Sequence, residues 1–421
     1  MTGGLVRLGV VGCGWIGAQH VKAWEQVARA TSNAFTIAAV CDSDVERARS
    51  CAAAVSRWQE RPVRVHTQLA ALLGDGVDGV DICVPTHLHE SAARAALGAG
   101  AHVLIEKPLA PSMDAAVRIA RAAASTDRIV SLGENHRRTL TVRTLRWLLR
   151  DMQLLGVPEL VQAQRVRYEA PSRRRDQWRS RRVTGGGGWA IDNGAHLLDT
   201  LTYVLGPVES VTAQAKRLRV RPCAGGPTEV DEREDFLTAL LRFESGITGV
   251  FSCVSSLPGA DDFRFAIRGT HAALIDNGTA NGELFHAPEP TARVHEPGES
   301  PRPLAGYFDD YRRSLSDADR ERLFPYGLTD DFAIECAEFL RAVQGGGTVE
   351  IGPDAAMRTL ATSLAFYESA VAGHTVCVAD VLAGTVHAYQ DTIRPGPLSG
   401  DFAEHRTVWP LAAGVSTWGP S

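Results

Sequence analysis

Two hydrophobic rhythms alternate through the first third of the chain. Short runs at 6–11 (VRLGVV), 35–41 (FTIAAVC), 79–84 (GVDICV), 102–108 (HVLIEKP) and 128–133 (RIVSLG) are apolar almost throughout. That is the pattern of strands covered on both faces. Between them lie segments whose apolar positions recur three and four apart, such as AQHVKAWEQVA, THLHESAARAALGAG and MDAAVRIARAAAS, and these predict helices. Strands alternating with helices imply a parallel sheet joined by right-handed crossovers. This places an α/β domain over residues 1–135.

Beyond residue 136 the rhythm changes. VESVTAQAKRLRV, FLTALLRF, GITGVFSCVSS and FRFAIRG read as strands separated by turn signals, and two long amphipathic helices follow, over 329–344 and 354–373. This second, α+β domain runs to 378, and a proline- and glycine-broken extension occupies 379–421. The extension is expected either to be disordered or to pack across a subunit interface; its two tryptophans, Trp409 and Trp418, favour packing, because indole rings are costly to leave in water.

One stretch fits neither rhythm. Gly185–Gly188 are four consecutive glycines, and the segment behind them places Asp192, His196, Asp199 and Tyr203 at i, i+4, i+7 and i+11. On a helix these form one polar stripe beside an apolar stripe of Ile191, Ala195, Leu198, Thr202 and Leu205. Such a stripe is either a solvated face or the wall of a cleft.

Composition narrows the function classes. A chain of 421 residues is too long for one ordinary core, and 44% hydrophobic with 22% charged residues describes a soluble globular protein. No apolar run approaches the roughly 18 residues of a membrane span, and the N-terminus does not read as a signal peptide. Eight cysteines without a CxxC pair suggest reduced thiols in the cytoplasm. A net charge of −5 argues against nucleic acid as a partner. The thirteen histidines are scattered, which gives no metal site.

The first strand runs directly into GCGWIG and then into a helix. Gly12 permits the tight turn, Gly14 lets the backbone approach a pyrophosphate, and Gly17 allows close helix–strand packing, with Trp15 and Ile16 inside the same loop. Amides at the helix start then face the phosphates. Asp42 ends the second strand 25 residues after Gly17, where a carboxylate accepts ribose hydroxyls and repels a 2′-phosphate. NAD is thereby favoured over NADP. The other reading of Asp42 is a cap for the following helix.

With these motifs in place, the sequence resembles the Gfo/Idh/MocA family of NAD(P)-dependent sugar and cyclitol oxidoreductases. The resemblance rests on GCGWIGAQH, on CVPTHLHESAARAALGAGAHVLIEKPLA, on WRSRRVTGGGGWAIDNGAHLLD with the helix ending at Gly206, and on two C-terminal helical segments, and covers about 5–378. Thr86 departs from it, since many members carry asparagine there, and so does the 379–421 extension. The resemblance implies a Rossmann domain plus an α+β domain with a large, mostly antiparallel open sheet, and a homodimer or homotetramer mating through that sheet. It also implies Lys107, Asp192 and His196 as the catalytic set, and Pro85, Thr86, His89, Glu106, Lys107 and Pro108 beside the cofactor. Trp178, Arg179 and Asn193 would join Lys107, Asp192 and His196 around a polyhydroxylated substrate.

Chemistry supports this assignment. Oxidation of a secondary alcohol needs a hydride acceptor and a base of near-neutral pKa, which histidine supplies. His196 is the expected base, and Asp192 either orients its imidazole or holds a substrate hydroxyl. Lys107, at the C-terminal end of a Rossmann strand, can hydrogen-bond the reacting oxygen. His20 is expected to be satisfied by its own helix, and Asp199 and Tyr203 to be structural. The four glycines and Gly194 are expected to let backbone approach substrate or nicotinamide. Substrate charge stays open: SRRRDQWRSRR (172–182) suits an anion, whereas the acidic clusters DERED, ADD, FDD and TDD suit an amino sugar. A ketosugar reductase using NADPH, an NAD-dependent glycosidase and a non-catalytic sensor are the alternatives.

Overall fold

The computed structural model describes residues 5–32, 34–168, 177–219, 231–277 and 290–393. The chain forms two units. The first comprises 1–110, 114–140 and 312–357, and the second 111–113, 141–311 and 358–421.

In the first unit, β1 (Val6–Val11), β2 (Phe35–Cys41), β3 (Arg64–His66), β4 (Gly79–Ile82), β5 (His102–Glu106) and β6 (Val130–Gly133) form a six-stranded sheet in the order β3-β2-β1-β4-β5-β6. Every pairing in it is parallel. The apolar runs explain it: β2 is buried at all seven positions, and Leu8, Val10, Ile37 and Val40 pack with Trp24 and Val27 of the helix Trp15–Ala30. Each such side chain withdrawn from water contributes about 1.5–3 kcal/mol. The chain reverses direction across the sheet between β1, which leads to β2 and β3, and β4. That switch point is where open α/β sheets bind ligands.

The helix Asp331–Val343 also belongs here, although a boundary at 135 assigns it to the second domain. Ala333, Cys336, Ala337, Phe339 and Leu340 complete the same core, and the Phe339 ring lies close to Gly79 of β4. The weak strand β3 and the short helix Leu69–Gly74 escape the sequence reading because β3 has no buried position.

In the second unit, β7 (Pro158–Val166), β8 (Val208–Lys216), β9 (Phe236–Phe243), β10 (Thr248–Val254), β11 (Asp262–Gly269), β12 (Ala273–Asp276), β13 (Arg293–His295), β14 (Arg302–Pro303) and β15 (Val376–Cys377) form one sheet. Its order among the described residues is β14-β13-β12-β11-β7-β10-β9-β8-β15. All pairs are antiparallel except β10 with β7. β7 sits in the middle yet is absent from the sequence reading, since only Val161 and Ala163 of its nine residues are buried. One face is covered: Phe251 of β10 stacks on Trp189 at 5.0 Å and meets Phe366 edge-on at 5.6 Å. On the other face Leu240 and Val250, directly paired across β9 and β10, are 56% and 39% exposed.

Among the described residues no helix is long and apolar enough to cross a membrane. The seven described cysteines are free. Trp409, Trp418 and the rest of 394–421 lie outside the described residues.

Candidate active site

The first unit gathers its candidate residues at the C-terminal ends of β1, β4 and β5. Gly12 has φ +94° and its amide bonds Cys41 O at 2.8 Å, so the turn after β1 is left-handed. A Cβ on Gly17 would stand 2.1 Å from Gly12 O, so this glycine serves helix-to-loop packing. Gly14 differs: a Cβ there would meet no protein atom within 4 Å. It opens the helix Trp15–Ala30 without a side-chain cap, leaving the amides at the helix start unmet by any capping side chain. Beside it Trp15 is 74% exposed.

Asp42 is tied to this loop. Its Oδ2 accepts the Cys13 amide at 2.8 Å, and Oδ1 accepts the Asp44 amide at 2.9 Å and Arg47 Nη2 at 2.9 Å. Burial opposes its charge, but the Arg47 hydrogen bonds and the two amides outweigh it and hold the carboxyl below its usual range. The cap of the helix Val45–Val55 is Asp44, not Asp42. Arg47 went unnoticed in the sequence because a single arginine on a polar helix face carries no signal.

Pro85 precedes a short turn at Thr86–Leu88, and Thr86 is buried. His89 is buried between Pro108 O and Val84 O, each 2.9 Å from a ring nitrogen, and burial pulls its pKa down. The Lys107–Pro108 peptide is cis. Glu106 accepts the Lys107 amide at 3.0 Å and approaches His20 at the same distance. His20 is therefore satisfied by carboxylates from β4 and β5, not by its own helix. Glu134, another residue missed in the sequence, is buried, and burial pushes its carboxyl up against the opposing charges of His136 and Lys107.

In the second unit the helix begins at Gly194 and ends at Leu205. Asn193 is its N-cap and is exposed; Asp192 lies in the preceding turn, its amide bonded to Gly188 O at 3.1 Å. Asp192 and His196 therefore do not share one helical stripe, because the chain leaves helical hydrogen bonding between them. His196 is half-buried in the first turn, whereas Asp199 is fully buried and accepts Thr359 Oγ1 at 3.1 Å. Arg146 stacks over the Tyr203 ring at 4.5 Å. Arg179 Nε lies 3.4 Å from Asp192 Oδ2, and its guanidinium covers the Trp178 ring at 4.1 Å.

The glycines here approach the protein itself. A Cβ on Gly188 would stand 2.2 Å from Glu234 Oε2, one on Gly187 2.7 Å from the Tyr367 ring, and one on Gly194 2.5 Å from the Trp189 ring. The close approach that the structure shows at these glycines is to these side chains. Glu234 is the organiser. Its Oε1 accepts the Trp189 amide at 2.7 Å and the Tyr367 hydroxyl at 3.0 Å, while Tyr367 accepts the Gly188 amide at 2.9 Å. The loop carrying Asp192 and His196 thus rests on a buried carboxyl.

Acidic residues of three of the clusters are paired within the chain. Within 231–235, Asp231 pairs with Arg233, Glu232 accepts the Arg182 amide, and Asp235 accepts the Leu218 and Arg219 amides. Asp330 caps the helix Asp331–Val343, and Asp310 pairs with Arg302. Of the arginine-rich segment, 172–176 lie outside the described residues, and Arg182 is buried.

Burial pushes the Glu234 carboxyl up to about 7 from 4.5, against the pull of its hydrogen bonds. A carboxyl whose folded pKa is raised binds its proton more tightly in the folded state, so stability falls as pH rises from the unfolded value towards 7. Glu234→Gln keeps the acceptor oxygen and removes the charge. Relative to the wild type, its unfolding free energy should rise by roughly 2–3 kcal/mol between about pH 5 and about pH 8. Denaturant titrations of both proteins at the two pH values read this directly, and a pH-independent difference contradicts it.

Two family models match most of the chain. A family described as "Oxidoreductase family, NAD-binding Rossmann fold" matches residues 6–134, and its "C-terminal alpha/beta domain" matches 153–378. The 1,5-anhydro-D-fructose reductase of Ensifer adhaerens is 28% identical over 312 residues, 73% of this chain and 82% of that protein. A putative UDP-kanosamine synthase oxidoreductase subunit of Amycolatopsis mediterranei is 27% identical over 326 residues, 74% of this chain and 87% of that one. The structure of a levoglucosan dehydrogenase in complex with NADH and levoglucosan superposes with a TM-score of 0.72 at 21% identity, covering 89% of this chain and 100% of that one, a likeness of fold. The two matches together span most of the chain, and the chain belongs to the Gfo/Idh/MocA family of NAD(P)-dependent oxidoreductases.

Proposed function

We propose that this enzyme oxidises a ring secondary hydroxyl of a sugar, glycoside, aminoglycoside or cyclitol to a ketone, with NAD as cofactor and His196 as general base. The observation that carries the reading is the half-buried His196 on the first turn of a helix whose entry loop is braced by Glu234 and Tyr367. A base must be held in position to act on one hydroxyl among several.

NAD, when bound, supplies the hydride acceptor. The loop Gly12–Gly17 fits it: Gly14 has open space where a Cβ would be, and the amides after it suit a pyrophosphate. Trp15 and Ile16 would flank that group, and Asp42 Oδ2 would accept a ribose hydroxyl. Pro85, Thr86, His89, Glu106 and Pro108 would shape the wall near the nicotinamide. In the chemical step His196 takes the hydroxyl proton on a ring nitrogen, and the Lys107 ammonium donates to the same oxygen as negative charge develops there. Asp192, with Asn193, Trp178 and Arg179, would hold neighbouring hydroxyls. The pairing of Arg179 with Asp192 favours a neutral, polyhydroxylated ring over a strongly charged one, because each partner already neutralises the other.

A place in amino-sugar or aminoglycoside biosynthesis suits this activity, since a ring ketone is the substrate a transaminase requires. The name of the Amycolatopsis relative points the same way. The name of the Ensifer relative favours a second reading, reduction of a ketosugar. Purified protein incubated with NAD and a panel of sugars, glycosides, aminoglycosides and cyclitols, followed at 340 nm, separates the two. NADH formation supports oxidation, activity confined to ketoses with NADPH supports the reductase, and glycoside cleavage without net NADH would support an NAD-dependent glycosidase.

We further propose that the open face of the large sheet, with Leu240 and Val250 at its centre, mates with a second copy. Sedimentation of the wild type should give a dimer or tetramer, and Leu240→Arg should lower the assembly state; a monomeric wild type ends this proposal.

A further inference from the structure

The chemistry above gives His20 no part, yet it is the centre of a buried charged network in the first unit. Its ring is fully buried. Nδ1 lies 2.9 and 3.0 Å from the two Asp81 oxygens, and Nε2 lies 3.0 Å from Glu106 Oε1. Asp81 is itself held by Trp24, whose indole N–H donates to Oδ2 at 2.8 Å. The other Glu106 oxygen, Oε2, accepts the main-chain N–H of Lys107 at 3.0 Å. One line of contacts therefore runs from Trp24 through Asp81, His20 and Glu106 to the backbone of Lys107.

A neutral imidazole carries one N–H and would set a bare lone pair against one of these carboxylates, whereas imidazolium donates to both. The balance agrees: burial opposes the charge, but Asp81 outweighs it and raises the His20 pKa well above its usual value. A third acid, Glu335, lies 3.5 Å from Nε2, and neither of its oxygens has a hydrogen-bond partner. Burial pushes the Glu335 carboxyl far up, although His20 and Arg138 pull against it. The ring thus grips Glu106 and Asp81 from its two nitrogens. Apolar residues of the same volume would fill this space without the desolvation cost of a buried ion. What they would not do is fix a carboxylate at one angle.

We propose that His20 is a positioning residue for Lys107: clamped by Asp81, its ring pins the Glu106 carboxylate, which fixes the main chain from which the Lys107 side chain extends. Its importance for turnover rests on the role assigned to Lys107 under the proposed function, but the positioning itself does not.

The chain has three lysines, Lys22, Lys107 and Lys216. Reductive methylation with ¹³C-formaldehyde therefore yields three dimethyl-lysine NMR signals, assigned with Lys22→Arg and Lys216→Arg. In His20→Gln, whose two N–H donors sit on one nitrogen and cannot reach both carboxylates from opposite sides as the ring does, the Lys107 signal should move or change its titration midpoint while that of Lys216, in the other unit, stays. An unmoved Lys107 signal overturns the proposal. Should His20→Gln fail to fold, Glu106→Gln, a near-isosteric change, takes its place with the same two outcomes.

Rates on a substrate found by the 340 nm panel form the second arm. His20→Gln should lower kcat at least about tenfold in the wild-type background and by no further factor in a Lys107→Ala background, the non-additivity of residues that act as one unit. Equal losses in both backgrounds overturn the proposal. A shifted Lys107 signal with unchanged kcat supports the positioning and instead removes Lys107 from the proposed chemistry, so the two failures are distinguishable.

Discussion

His196→Ala should lower kcat by about 10²–10⁴-fold on any alcohol the wild-type enzyme oxidises, the usual contribution of a positioned general base. His196 is half-buried in the first turn of the helix Gly194–Leu205, and alanine is the best helix former, so the fold should survive. The loop before it is held by hydrogen bonds among Glu234, Tyr367 and the Gly188 and Trp189 amides. NAD affinity should therefore stay within about twofold, because loss of an interaction made only in the transition state leaves ground-state binding alone. The acidic limb of the kcat/KM profile that reports the base should vanish with the same substitution. A variant that keeps kcat within about threefold of wild type would place the base elsewhere, with Asp192 the next residue to substitute.

The second large effect separates two glycines of one loop. Gly14→Val adds side chain where no protein atom lies within 4 Å, at an extended backbone angle that any residue adopts. Stability should fall by no more than about 1 kcal/mol, the cost of valine in place of glycine at a helix N-cap. The added methyls would stand where the dinucleotide must approach, and NAD affinity should fall on the order of 100-fold, or about 3 kcal/mol. Gly17→Val is the converse. Its Cβ would lie 2.1 Å from Gly12 O, a backbone atom with no room to retreat, and the helix Trp15–Ala30 must shift. That variant should lose roughly 3 kcal/mol or more of stability along with NAD binding. Calorimetric NAD titration and thermal unfolding of both variants check the pair. Gly14→Val binding NAD as tightly as wild type would remove this loop from the cofactor site.

Much of this fold is legible in the sequence because its signals are local. VRLGVV and FTIAAVC coincide with β1 and β2 residue for residue, since a strand covered on both faces needs an unbroken apolar run. The glycine turn is equally plain, because a tight turn and close packing leave few other residues possible. β7 is the counter-example. It lies at the centre of the large sheet, yet one of its faces is open, and its polar residues mask the strand.

The candidate site divides in the same way. Lys107, Asp192 and His196 stand out by motif and order, and Asp42 by its distance from the glycine loop. Their supports do not. Glu234 belongs to an acidic run whose charge alone suits an amino sugar, but it is buried beneath Gly188 and Trp189 and bonded to Tyr367, 133 residues away. His20 reads as an ordinary helical residue, and its partners Asp81 and Glu106 lie 61 and 86 residues further along the chain.

The sequence by itself therefore determined the periodicity of the strands and helices, the dinucleotide turn and the candidates for the reactive side chains, all of which depend on neighbours within a few residues. Tertiary structure alone decided which charges are buried together, which glycines are filled by the protein's own side chains, and that the helix Asp331–Val343 completes the first core. Those outcomes arise from contacts between segments far apart in the chain, where the cost of burying a charge is met by whichever distant partner the packing brings to it.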